Sequence, residues 1–230
     1  MSRKCATTLP CFSRAGGPSL GAWRHPMLMV DPDSVVVERM LLTSELACPS
    51  CGGVLRPWGH ARWRSSRREA GTVRHRPRRA SCTGCAKTHV LLSTEWFCRR
   101  GDAVSVIGAA LLAKAAGAGH QPIAAALGRP ACTVRGWLRR FGARAEDVRV
   151  LFTRLLHSLD PQAGPLLPRE SVFADALEAL GRAGAAGSRR LAPRPPWQFA
   201  SWATGGLLLG PPAGTRTAAG QVWGPVGNTS

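Results

Sequence analysis

Tyrosine is absent from the 230 residues, and lysine occurs only at Lys4, Lys87 and Lys114. Aromatic residues are sparse, at 6% of the chain. Acids are scarce as well: 13 Asp and Glu stand against 31 Lys and Arg, which leaves a formal charge of +18. Such a balance points to a polyanionic partner such as nucleic acid. Nearly all of the positive charge is arginine in an Ala-, Gly- and Pro-rich chain, a pattern that coding bias also produces, so the placement of the arginines must carry the argument. Long apolar runs are missing too. The most apolar stretch, Val104 to Gly119, is short and broken by Lys114, which excludes it as a membrane span. The N-terminus has no continuous apolar core of a signal peptide, and a cytoplasmic protein is expected.

Eight cysteines are present, but their spacing does not suit a secreted disulfide framework. Cys5, Cys11, Cys98 and Cys132 are scattered. The other four form two pairs, Cys48-Pro49-Ser50-Cys51 and Cys82-Thr83-Gly84-Cys85, with thirty residues between them. Each CxxC pair makes a tight knuckle that points both sulfurs one way, so two pairs can converge as four thiolates on a tetrahedral zinc. Gly52, Gly53 and Gly84 stand where the chain must turn tightly. The intervening run is longer than the roughly 15 to 20 residues of generic zinc spacings and predicts an extended hairpin. Four unrelated thiols are the alternative. His60, His75 and His89 could substitute as ligands, but four cysteines already fill a tetrahedron and ordinary polar roles suit these histidines better.

Between the knuckles, Val54 to Trp63 and Thr72 to Ala80 read as strands joined by a polar turn from Ser65 to Gly71, with a further strand at Thr88 to Leu92. This region holds nine arginines, including Arg62, Arg64, Arg74 and Arg76, together with Trp58 and Trp63. A hairpin so dense in guanidinium groups would attract phosphate, and its tryptophans could stack on bases or pack on the strands. A solvated basic face is the plainer reading. Before the knuckles, Val35 to Leu42 suits a short helix capped by Asp31, Asp33 or Ser34, or else a strand of β-branched valines.

Asp102 is a helix-cap candidate for an amphipathic run through Ala103, Val104, Val106, Ile107, Ala110, Leu111 and Leu112, which ends at Gly117-Ala118-Gly119. Two short helices then flank a turn at Gly128 to Pro130. Ile123 and Leu127 face inward from the first, and Val134, Trp137, Leu138 and Phe141 follow i, i+3, i+4, i+7 on the second. Ala124 suits a close crossing, and Gly128 suits a left-handed turn. The outward face of the second helix carries Thr133, Arg135, Arg139 and Arg140. Arg135 and Arg139 are placed to reach base edges, and Thr133 and Arg140 to hold phosphates. A packing unit with arginines exposed for solubility is the alternative. Further helices are expected over Ala145 to Leu156, from the cap Ser171 to about Gly184–Gly187, and within Trp197 to Leu209, with Pro161 to Pro168 as a linker.

These readings give an α+β fold: a small zinc-ribbon β-hairpin domain followed by an all-α helix-turn-helix bundle. The expected divisions are a disordered extension over 1–30, the ribbon over 31–96, the helix-turn-helix domain over 97–160, C-terminal helical segments over 161–209 and a disordered tail over 210–230. The Cys48-Pro-Ser-Cys51-Gly-Gly run, Trp58-Gly-His60, the Arg-rich approach to Cys82-Thr-Gly-Cys85, Thr88-His89-Val90-Leu91-Leu92 and the paired helices resemble a family of bacterial zinc-ribbon and helix-turn-helix proteins. That family carries a domain of unknown function and is often called transposase-like. The layout is also similar to the N-terminal DNA-binding part of insertion-sequence transposases. The resemblance covers roughly residues 30 to 160 and implies DNA binding. Arg129 departs from it, standing where an apolar residue commonly follows the turn glycine.

A nuclease of that class needs three carboxylates to hold two metal ions. After the paired helices the only acids are Glu146, Asp147, Asp160, Glu170, Asp175 and Glu178, crowded on helices and a linker. A non-catalytic DNA-binding protein is therefore expected, as a regulator or the recognition component of a mobile element, with a separate transposase or other protein as a further candidate partner. The alternatives are a ribbon acting as a protein or RNA adaptor, or a degenerate transposase remnant.

Overall fold

A computed structural model describes residues 27–191 and 193–211. Most of the extension and the tail expected to be disordered lie outside these residues. The described chain is α+β. Its order is β1 (Met27–Val30), α1 (Ser34–Leu42), β2 (Leu55–His60), β3 (Arg64–Arg68), β4 (Gly71–His75), β5 (Arg78–Cys82) and β6 (Thr88–Ser93), followed by six helices. These are α2 (Val104–Ala115), α3 (His120–Leu127), α4 (Ala131–Gly142), α5 (Ala145–Leu159), α6 (Val172–Arg190) and α7 (Pro196–Ala203).

A four-stranded sheet in the order β1-β6-β5-β2 holds the first core. Met27–Val30 was expected within the disordered extension and instead pairs in parallel with Val90–Ser93. Its partner lies some sixty residues away, where local pattern carries no signal. The valine-rich segment resolves as the helix α1, because Val37 and Leu41 at i and i+4 are both buried while Val35 stays exposed. Asp33 caps it, its Oδ1 accepting the Val35 N–H at 2.8 Å. Val37 and Leu41 pack with Val30, Leu55, Ala80, Leu91 and two of the paired cysteines, Cys48 and Cys82.

The hairpin between the cysteine pairs bends in the middle. β2 pairs antiparallel with β5, the register shifts between Pro57 and His60, and β3 and β4 continue as a separate two-stranded sheet. Gly59 takes φ +82° at the shift, a conformation glycine adopts without a Cβ clash. The expected polar turn from Ser65 to Gly71 is thus corrected: Arg64–Arg68 is strand, and the chain reverses at Glu69-Ala70. The outer edge of β3 explains why. Arg67 donates its N–H to Gly101 O at 2.7 Å and accepts from Ala103 N at 2.8 Å, so the chain entering α2 covers that edge.

Asp102 sits at this junction, and its role differs from the expected cap. α2 begins after Ala103 with no side-chain cap. The Asp102 carboxylate is buried, with Arg67 Nη2 at 2.8 Å on one oxygen and Arg129 Nε at 2.7 Å on the other. Two guanidinium groups compete better for a carboxylate than a backbone amide does. Arg129 also donates to Arg68 O at 2.9 Å and to Leu127 O at 3.2 Å. The residue that breaks the expected apolar pattern therefore clasps the bent hairpin to the turn before α4.

The second core is helical. Gly128 caps α3 in the left-handed region at φ 60°, and Val134, Trp137 and Phe141 of α4 are buried. Leu127 and Leu138 are partly buried against the same cluster, whereas Leu112, expected inward, is 54% exposed. Ser171 caps α6, its Oγ accepting the Ala174 N–H at 3.3 Å. That helix runs past the expected stop at Gly184–Gly187 to Arg190, because the glycines are packing sites within it. A Cβ at Gly187 would meet Phe199 Cε2 at 2.6 Å, and one at Gly108 would collide with the Trp197 indole. α7 thus docks on both α2 and α6, while Leu207–Leu209 follow it outside the helix, with Leu208 and Leu209 buried.

Replacing Asp102 with Ala strands two arginines, of which Arg129 is only 13% exposed. A loss of about 3 kcal/mol is expected in chemical denaturation, with a smaller loss for Arg67→Ala, whose side chain is 41% exposed. Equal stability of Asp102→Ala and wild type would contradict the clasp.

Candidate metal centre and basic surface

The two CxxC knuckles repeat one set of hydrogen bonds. In the first, Cys48 N–H donates to Gly53 O at 2.7 Å, Gly52 N–H to Cys48 O at 2.8 Å, and Ser50 N–H to Cys48 Sγ at 3.4 Å. In the second, Cys82 N–H donates to Lys87 O at 2.9 Å, Ala86 N–H to Cys82 O at 3.1 Å, and Gly84 N–H to Cys82 Sγ at 3.3 Å. The fourth residue after the first cysteine has positive φ in both, +75° at Gly52 and +56° at Ala86. Identical turns present their sulfurs alike, and the sheet brings the two turns face to face.

As a result, the sulfurs of Cys48, Cys51, Cys82 and Cys85 all lie within 4.8 Å of one another. Cys48 and Cys85 are 3.8 Å apart, and Cys51 and Cys82 are 3.4 Å apart. These separations are far beyond a disulfide bond of about 2.05 Å. They match the roughly 3.8 Å between thiolates that sit about 2.3 Å from the centre of a tetrahedron. Gly53 lies directly under the cluster, since a Cβ there would come within 3.1 Å of Cys82 Sγ. The four cysteines can therefore hold a metal ion, and an all-sulfur tetrahedron suits zinc or iron.

Electrostatics within the cluster also call for a cation. Cys82 is drawn down to about 6 from an ordinary 9.0, first by the Cys85 backbone N–H and then by that of Gly84, against the opposing effect of burial. At Cys51 the Gly53 N–H pulls downward, but the neighbouring thiols of Cys82, Cys85 and Cys48 outweigh it and push the group up to about 12. One thiolate forms readily, and further negative charge is resisted by its neighbours. A bound cation removes that resistance. Among the three histidines, His89 is buried with Nε2 at 3.3 Å from Cys48 Sγ, beside the cluster as a hydrogen-bonding neighbour. His75 instead stacks on Trp96 with ring centroids 5.1 Å apart, and His60 is exposed.

The arginines singled out from sequence fall into two exposed groups. Arg135, Arg139 and Arg140 project from α4 opposite its buried Val134, Trp137 and Phe141, and Thr133 is half-buried beside them. Arg140 bonds back to Gly136 O at 3.1 Å. On the hairpin, Arg62, Arg64, Arg74 and Arg76 are exposed; Arg74 lies over the Trp63 ring at 5.5 Å, and Arg76 Nε donates to Ala61 O at 2.9 Å. Among the described residues Arg62, Arg64, Arg135 and Arg139 form no ion pair with an acid.

Arg99 and Arg100, which sequence reasoning passed over, lie between β6 and α2. Arg100 is held below its ordinary pKa, first by burial and then by the charge of Arg140. Cys98 is pushed up by burial while Arg99, Arg100 and Arg64 draw it down. Charges from β3, at Arg64, and from the last turn of α4, at Arg140, thus bear on the segment that holds Arg99 and Arg100. Their adjacency in sequence at Arg99-Arg100 was the only available signal.

No protein-family model, curated protein or solved structure matches the chain. No helix among the described residues is long and apolar enough to cross a membrane.

The thiol shifts have opposite consequences for the metal-free protein. The lowered Cys82 favours the folded form above pH 9, and that contribution is lost as pH falls through about 6. The raised Cys51 favours it below pH 9, and that contribution is lost as pH rises toward about 12. Ultraviolet thiolate absorbance of metal-free protein should show a step near pH 6 that Cys82→Ser abolishes. Titration of all thiols near their ordinary value in metal-free protein that keeps the strand signature of the ribbon would contradict this geometry.

Proposed function

We propose that this chain is a non-catalytic DNA-binding protein in which zinc, held by Cys48, Cys51, Cys82 and Cys85, stabilises a ribbon beside a helix-turn-helix. In this reading α3 and α4 are the paired helices and α4 enters the major groove. Arg135 and Arg139 meet base edges, with guanine O6 and N7 as their best-matched acceptors. Thr133 and Arg140 hold flanking phosphates, and Arg62, Arg64, Arg74 and Arg76 extend backbone contact along the hairpin. The observation that carries the proposal is the two-sidedness of α4: Val134, Trp137 and Phe141 are buried, while Arg135 and Arg139 are exposed without ion pairs. Arginines kept only for solubility have no need of acid-free surroundings. Asp102, which reaches the turn before α4, is already occupied by Arg67 and Arg129.

Zinc has a structural part in this scheme, because four thiolates leave no open position for a substrate. Its ligation is worth on the order of 10 kcal/mol to the fold of such a ribbon. The acids after α4 support a non-catalytic role. Glu146, Asp147, Asp160 and Glu178 each pair with an arginine, and Asp175 Oδ1 accepts the Arg169 N–H at 2.6 Å. The transposase-like resemblance fits a regulator or the recognition component of a mobile element.

Selection of bound duplexes from random DNA in the presence of zinc, followed by salt titration, tests the proposal. Arg135→Ala and Arg139→Ala should each weaken binding to the selected duplex by roughly 1 to 3 kcal/mol and relax its sequence preference. Failure to enrich any sequence, or variants that bind as wild type, would overturn it.

A further inference from the structure

The described chain contains six tryptophans, and four of them pack inside: Trp96 and Trp137 are buried, and Trp197 and Trp202 are half-buried. Trp58 and Trp63 are the exceptions, at 58% and 57% exposed. Both lie on the bend of the hairpin, one on each side of the bulge at Gly59. The backbone between them is pinned from the opposite strand. Arg78 Nη1 donates to Gly59 O at 2.7 Å, Arg76 Nε to Ala61 O at 2.9 Å, and Ala61 N–H to Pro77 O at 2.8 Å. The two indoles are thus held out on a braced frame, where burial in a core does not explain them.

Their surroundings define what would cover them. Arg56, Arg62 and Arg64 are exposed beside them in sequence, Arg74 lies over the Trp63 ring at 5.5 Å, and no acid occurs between Glu45 and Glu69. An apolar protein surface would have to desolvate these guanidinium groups without compensation. A chain of phosphates bearing unpaired bases satisfies both chemistries, since arginine takes the backbone and indole faces take the bases. Duplex DNA does not, because its bases already stack on one another. Arg129 in the turn before α4 donates to Arg68 O of the same hairpin at 2.9 Å, so a strand leaving a duplex at that helix would meet the hairpin.

We infer that the bent hairpin is a binding site for unpaired DNA, with Trp58 and Trp63 as stacking platforms next to the duplex contacted by α4. The inference rests on the proposed DNA-binding role and adds the substrate class, a junction of duplex and single strand. The test uses the full chain with zinc and three probes: a blunt duplex, the same duplex with a single-stranded overhang, and oligothymidylate. Wild type should bind the overhang probe more tightly than the blunt one. Trp58→Ala and Trp63→Ala should each weaken binding to the overhang and to oligothymidylate by roughly 5- to 150-fold, while blunt-duplex binding stays within about twofold. Trp63→Phe should keep most of the affinity, which separates stacking from loss of fold. Equal binding of all variants to the single-stranded probes, equal weakening on all three probes, or preference for oligouridylate over oligothymidylate would overturn the inference. Blunt-duplex binding with no tryptophan-dependent binding to the overhang or to oligothymidylate removes this site and leaves the proposed function standing. Tryptophan-dependent binding to oligothymidylate alone does the reverse, and no binding to any probe removes both.

Discussion

Four sulfurs within 4.8 Å of one another are the constraint on which the first half of this chain depends. Without a cation, thiolates at that distance repel, and at Cys51 the neighbouring thiols push the pKa up. The small core around Leu41, Leu55 and Leu91 includes Cys48 and Cys82 themselves, so cluster and core are one unit. β2 leaves the first knuckle, β5 enters the second and β6 leaves it, so three of the four strands of the main sheet begin or end at the cluster.

The second dependence is electrostatic. Asp102 is the shared partner of a hairpin arginine and of Arg129, which belongs to the turn before α4. Arg129 also holds the Arg68 carbonyl. The hairpin and the helices therefore meet through a three-membered ion cluster centred on the buried Asp102, reinforced by the backbone pairing of Arg67 with the chain entering α2. The C-terminal segment closes the same junction. Cys98 N–H donates to Gly206 O at 2.8 Å, Ser201 Oγ donates to Trp96 O at 2.9 Å, and Arg100 donates to Leu209 O at 3.0 Å. Residues 97–160 and 161–209 contribute to one buried cluster. The exposed face of α4 and the bent hairpin consequently stand on one connected frame.

Local physics was legible in the sequence, and distant partnerships were not. The knuckles could be read because CxxC and its glycines specify a turn within six residues. The Gly128 turn and the buried face of α4 could be read because helical periodicity and a left-handed glycine are local as well. Asp102 was misread as a cap for the same reason: the residues beside it resemble a helix start, while its partners lie 35 and 27 positions away. Arg129 looked like a defect in an apolar pattern until its carboxylate was in view. Strand β1 was hidden because four residues gain their order only from a parallel neighbour. Strand β3 was taken for a turn because polar arginines and serines form a strand there only with both edges paired. The exposure of Trp58 and Trp63 likewise depends on a bend whose braces come from the opposite strand.

The central claim is that the two knuckles are joined by one metal ion through sulfur alone. X-ray absorption at the metal edge of the purified protein measures this directly. The account predicts zinc with four sulfur neighbours at about 2.3 Å. A shell containing nitrogen or oxygen, or one with fewer than four sulfurs, would contradict it.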